Sequence, residues 1–299
     1  MQIALLVVPD FLLLVLGLFV RHKMGFTAEF FAGLERFVYY ILFPALLINA
    51  VMARPIDIAT TTSLLQATLA LIACGAIAAW AAKWVLRPDP LRFASTVQCG
   101  FRFNTYIGLA LAASLAGQEG LGTMALIVGF GVPVVNLLAV YALAHHAGGK
   151  VLGALVRNPL LVATVLGLAL NLAGVRMPAT LDVFLGRLGA AGLALGIICV
   201  GASLSFHASH GAGRLVGWMV AVKLVALPLA ALAIGAVPAL GLTMLERQML
   251  LLFAALPTAS SAYVLAAGMG GDARLVSLVI SLGTSASIVT IPIWMQLAF

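Results

Sequence analysis

The run Phe101-Arg102-Phe103-Asn104-Thr105 interrupts one apolar segment and Pro257-Thr258-Ala259-Ser260-Ser261 interrupts another, with Asn104 and Pro257 153 positions apart in a chain of 299 residues. Each half of the chain thus carries a polar interruption at the same place. In hydrocarbon an unsatisfied backbone group costs several kcal/mol, so a spanning helix breaks only where protein or a water-filled cavity receives the freed N–H and C=O groups. Two matched breaks predict a shared polar cavity near mid-membrane, the layout of transporters built from two repeats.

Composition agrees with that placement: 64% of residues are hydrophobic and 8% charged, and apolar stretches of about 20 residues follow one another from end to end. No polar region is long enough for a soluble catalytic domain, a disordered tail or a nucleic-acid module. The formal net charge of +7 is expected to sit in cytoplasmic connections and fix orientation, rather than to mark a face for polyanions. Cys74, Cys99 and Cys199 fall in apolar segments, without metal-ligand spacing or a disulfide framework. No cofactor is expected, and no metal.

The fold expected is an all-α membrane protein of ten spans. The first set is Ile3 to Val20, Phe37 to Met52, Leu64 to Leu86, Phe93 to Ala116 and Thr123 to Ala144; the second is Pro159 to Val175, Val183 to Phe206, Leu215 to Val237, Met249 to Gly268 and Leu275 to Leu297. Residues 1–146 then form a first five-helix repeat, 147–157 a cytoplasmic linker and 158–299 a second repeat. An odd number of spans per half inverts the second repeat relative to the first. The same offset pairs Gly33 with Gly186, Thr105 with Thr258, Gly117 with Gly270 and Glu119 with Asp272.

With the N-terminus outside, the cytoplasmic connections hold Arg21, Lys23, Arg36, Lys83, Arg87, Arg92, Lys150, Arg157, Arg214 and Arg274. The opposite side holds Arg54, Arg176, Arg187 and Arg247. The basic residues therefore place both termini on the non-cytoplasmic side of the cell (inner) membrane.

The run Phe101 to Leu109, the Asn158-Pro159-Leu160 opening of the sixth span, the Gly201-Ala202-Ser203-Leu204 close of the seventh and Leu256-Pro257-Thr258-Ala259 in the ninth resemble the auxin efflux carrier family. That family includes plant PIN carriers and bacterial organic-acid permeases. The resemblance implies two inverted five-helix halves, with the broken fourth and ninth helices crossing at the substrate site. It also implies a homodimer through the first, second, sixth and seventh helices, and an elevator-like movement of the others. Ala110 stands where the family's fourth helix usually carries proline, so the first break is expected to rest on Asn104 and on tertiary context.

Arg102 stands out because a cation at helix centre costs about 2.5 to 3.5 kcal/mol even on insertion scales. Either its planar fork of donors meets an anionic substrate, or it caps backbone carbonyls at the break or snorkels to the interface. Asn104 and Thr105 in the first break, and Pro257, Thr258, Ser260 and Ser261 in the second, are the accompanying candidates for substrate binding. Asn49, Asn136 and Ser203 lie within spans and rank below them, since an interhelical hydrogen bond explains each as well. Asp10 reads as the only acid deep in a span, and Lys223 as the only basic residue there besides Arg102. The two are candidates for ion coupling, to a proton or Na⁺, or for a buried pair with each other. The His207 and His210 spacing lacks a third metal ligand, and His145 and His146 suit the end of the fifth span. The Gly192 and Gly196 pair permits close helix approach, within or between subunits.

These readings converge on a secondary carrier of small organic anions, carboxylates foremost, and not an enzyme. The alternatives are a bile-acid-type Na⁺ symporter, which needs clustered acidic and carbonyl oxygens, and an integral-membrane enzyme, which needs an acid–base pair at the interface.

Overall fold

The structure, a computed structural model, describes residues 2–53, 58–144, 159–204 and 211–297. The connection 147–157 and His145, His146, His207 and His210 lie outside the described residues. Among the described residues all regular structure is helical. Among the described residues six segments have the length and apolarity to cross a bilayer: Ala28–Met52, Thr61–Val85, Pro90–Leu143, Ala179–Ser203, Gly213–Gly235 and Ala273–Gln296.

The helices are α1 Gln2–Lys23, α2 Ala28–Met52, α3 Ile58–Val85, α4 Pro90–Thr96, α5 Thr105–Ala144, α6 Pro159–Leu172, α7 Ala179–Ser203, α8 Gly213–Gly235, α9 Met244–Ala255, α10 Ser261–Gly268 and α11 Ala273–Gln296. Two of them contain a wider π turn, Val38–Leu42 in α2 and Val222–Ala226 in α8. α5 comprises two helices that meet at a kink, where Ala116 and Gly117 leave helical geometry, Gly117 at φ 57°. A glycine serves there because a Cβ would clash in that conformation.

α2 corrects the expected start of the second span. The Thr27 hydroxyl accepts the Phe30 N–H at 3.2 Å and starts the helix at Ala28, so Glu29 and Glu35 lie inside an apolar helix rather than in a connection. The charges of Glu29, Glu35 and Arg36 lower the apolarity of a stretch that an N-cap nevertheless makes helical.

The chain forms two compact units, each drawing on both halves of the sequence. The first comprises Met1–Thr62, Thr105–Val132 and Val156–Ser203. Here α1 and α7 approach backbone to backbone: a Cβ on Gly17 would run into the Ile198 carbonyl, and one on Gly201 into the Leu14 carbonyl. Gly192 and Gly196 of α7 face Leu42, Phe43 and Tyr106 of the same unit, which places that glycine pair within the subunit. Small residues at such contacts let dispersion act at short range where lipid supplies no hydrophobic drive.

The second unit comprises Ser63–Asn104, Pro133–Leu155 and Leu204–Phe299. Phe101 stacks on Trp80 with centroids 5.7 Å apart, and Phe103 meets Phe253 at 4.3 Å. At one end the Ser95 hydroxyl accepts the Asp272 N–H at 2.8 Å, and Arg92 lies 3.8 Å from the Asp272 carboxylate. These contacts pin both interrupted segments, α4 and α9–α10, into one body.

Candidate functional site

The site lies in the second unit, where two stretches leave helical geometry. After α4 the chain tightens into a 3₁₀ turn at Val97–Gly100, runs non-helically through Arg102, Phe103 and Asn104, and becomes helical again at Thr105. After α9 it is non-helical from Leu256 to Ser260 and resumes at Ser261.

Helix ends leave backbone groups without intrahelical partners, and here they find them across the two stretches. The Asn104 N–H donates to the Pro257 carbonyl at 2.8 Å. The Thr258 hydroxyl donates to the Cys99 carbonyl at 2.8 Å. The Gln98 amide donates to the Ser95 and Ala262 carbonyls at 3.0 and 3.3 Å. Lys223, 2% exposed, reaches from the π turn of α8 and donates to the Ala254 carbonyl at 3.0 Å, in the last turn of α9. Short polar side chains and one lysine thus hold the main chain that the missing helical turns release.

Arg102 in the same place is hydrogen-bonded to side chains. Its side chain is 6% exposed. Nη1 donates to Gln98 Oε1 at 3.0 Å, and Nη2 donates to Asn136 Oδ1 at 2.9 Å and to Ser261 Oγ at 3.0 Å. These three partners are neutral side-chain oxygens, not helix-end carbonyls. Exposure rises across the guanidinium: Gln98 is buried, Asn136 half-buried and Ser261 exposed. The Nη2 edge therefore faces the more open side. A planar guanidinium held in this way presents fixed donors to a carboxylate.

Of the residues singled out by sequence, Arg102, Asn104, Asn136, Pro257, Thr258, Ser260 and Ser261 belong to this unit. Thr105, Asn49, Ser203 and Asp10 belong to the first. There Asn49 donates to the Asp182 carboxylate at 2.7 Å, tying α2 to α7. Ser203 donates to the Val200 carbonyl of its own helix at 2.7 Å. Asp10 accepts from the Ser114 hydroxyl at 2.9 Å, while Lys223 is held on Ala254, so each has its own partner within its own unit. Gln98 escaped sequence reasoning, because before the first break it reads as one amide in an ordinary helix. The spacing of Gln98 and Arg102, one helical turn, was the available signal.

No curated protein matches the chain. Residues 142–295, half of the chain, match a family model described as membrane transport protein, that of the auxin efflux carriers. The match takes in α9, the Leu256 to Ser260 stretch and α10, and stops short of Arg102. With that match over half of its length, and with helices long and apolar enough to span a membrane, the chain belongs to the auxin efflux carrier family of membrane transporters.

Proposed function

We propose that the protein is a secondary carrier of small organic anions, carboxylates foremost, in the cell membrane. The observation that carries this reading is the Arg102 guanidinium. It is buried in an apolar body and oriented by three neutral side chains, while other groups serve the loose main-chain ends. A buried cation oriented by neutral side-chain oxygens serves as a recognition element in a transporter, and its sign selects anions. Binding energy from Asn104, Thr258 and Ser260 would supplement the charge.

The carrier reading includes two inverted five-helix repeats, residues 1–146 and 158–299 with 147–157 between them, and broken fourth and ninth helices that cross. Gly117 and Gly270, one offset apart, both adopt positive φ, 57° and 70°, and so support the repeat. Alternating access of the elevator type, a homodimer, termini on the non-cytoplasmic side and coupling to a proton or Na⁺ through Asp10 or Lys223 belong to the same reading. Gradients or membrane potential would supply the energy.

The test is a thermal-stability screen of the purified protein against carboxylates, followed by flux of any stabilising compound in proteoliposomes. A ligand that binds the native state raises its apparent stability. Carboxylates that stabilise the protein and cross the liposome chemically unchanged support the reading. Stabilisation and flux confined to neutral or cationic solutes would overturn it.

A further inference from the structure

Arg102 is held unevenly, and the unevenness suggests how a ligand enters. Gln98 is fully buried, and its amide is fixed by two main-chain carbonyls, those of Ser95 and of Ala262, 164 positions away. With Nε2 spent on those carbonyls, Oε1 has one orientation and accepts from Arg102 Nη1. Asn136 and Ser261 hold Nη2, each by a single side-chain oxygen at the more open edge. An anion reaching the guanidinium therefore meets Nη2 first, at hydrogen bonds that a stronger acceptor displaces. A charged acceptor makes roughly twice as strong a bond as a neutral one.

We propose that Gln98 is the fixed anchor of Arg102, whereas Asn136 and Ser261 keep the ligand's place on Nη2 and yield it when the anion binds. Gln98 is then a positioning residue, and Asn136 sets selectivity by being an amide and not an acid. This rests on the reading of Arg102 as the anion-binding group. The place-keepers are neutral acceptors, and the anchor keeps the guanidinium plane fixed while they exchange.

The proposal predicts effects of opposite sign at neighbouring positions. Asn136→Asp is isosteric and supplies a tethered carboxylate that competes for Nη2, so affinity should fall by about 30-fold or more. Ser261→Ala removes a bond that the ligand has to displace, so affinity should stay within about threefold or improve. Gln98→Met removes the anchor and should weaken binding by about 2- to 13-fold, the net worth of one typical hydrogen bond.

The experiment titrates acetate, lactate, succinate, citrate and benzoate against detergent-purified wild type, these three variants and Arg102→Ala, reading apparent affinity from thermal stabilisation of the folded fraction. The order Asn136→Asp weakest, Gln98→Met intermediate and Ser261→Ala near wild type supports the proposal. If Arg102→Ala abolishes binding while Asn136→Asp binds as wild type does, the exchange is wrong and the anion reading survives. Ser261→Ala more than about tenfold weaker would show that the hydroxyl contacts the ligand and does not yield to it, which also overturns the proposal. Ser261 is exposed, so this variant decides the matter if the buried ones fail to fold. Undiminished binding by Arg102→Ala, or stabilisation of wild type by none of the probes, would defeat the anion reading and this proposal with it.

Discussion

The main-chain N–H of Asn104 donates to the main-chain carbonyl of Pro257 at 2.8 Å, although 153 positions of chain separate them. A residue that would complete a helical ladder gives its donor to another segment. Pro257 lacks an N–H of its own and prevents α9 from continuing. The bond places two backbones in contact inside an apolar body, where neither group could be left to hydrocarbon. Cysteines replacing Asn104 and Pro257, in a background lacking Cys74, Cys99 and Cys199, should therefore cross-link under mild oxidation or with a short bismaleimide. Absence of the cross-link in folded, inserted protein would contradict the contact.

Thr258 is 2% exposed and its hydroxyl donates to the Cys99 carbonyl at 2.8 Å. Thr258→Val keeps the shape and strands that carbonyl, which should cost about 1 to 3 kcal/mol of stability. Thr258→Ser retains the donor and should cost about 1 kcal/mol, the value of one buried methyl group. Thermal or denaturant unfolding in detergent checks both, and equal losses would show that packing rather than the hydroxyl matters.

Glycines separate into those that permit contact and those that do not. A Cβ on Gly201 would press on the Leu14 backbone, whereas one on Gly33 meets nothing within 4 Å. Gly201→Ala should destabilise by about 1 to 3 kcal/mol, since two backbones have to move apart. Gly33→Ala should be neutral or stabilising by up to about 1 kcal/mol through helix propensity. Comparing the two melting temperatures provides the check, and a reversed order would refute the α1 and α7 contact.

The sequence made the interruptions legible because polar residues in hydrocarbon-length apolar runs have few explanations. Membrane residence and the family resemblance followed from the same signals. The true start of α2 was hidden, since Glu29, Glu35 and Arg36 imitate a connection while the Thr27 cap makes the segment helical. The task of Lys223 was hidden as well. Its partner is a carbonyl on α9, 31 positions away, and no side-chain pattern announces a main-chain acceptor. Gln98 depends likewise on Ala262, a contact made only once the two interrupted segments are packed together. Around the breaks the residues that sequence could name are those with unusual chemistry for their setting. Those it missed act on backbone that folding brings to them.

The excess of basic residues in alternate connections is the basis of the proposed orientation. Gly213 opens α8 and Ala239 follows its end, and both are exposed. Single cysteines at these positions in the cysteine-free background should react with an impermeant thiol reagent from opposite sides, Gly213→Cys from the cytoplasm and Ala239→Cys from outside. Labelling from the same side, or with the sides exchanged, would contradict the arrangement.

The proposed carrier depends on the Arg102 guanidinium to recognise the transported anion. The direct measurement is carboxylate uptake into proteoliposomes, normalised to correctly inserted protein, for wild type, Arg102→Ala and Arg102→Lys. Loss of a buried charge that binds an anion should reduce uptake per molecule by about 100-fold or more in Arg102→Ala. Arg102→Lys should recover little, because a compact ammonium cannot reproduce the planar fork held by Gln98, Asn136 and Ser261. Near-normal uptake per inserted molecule by Arg102→Ala, with only insertion or stability reduced, would show that Arg102 braces the crossing and that another group selects the substrate.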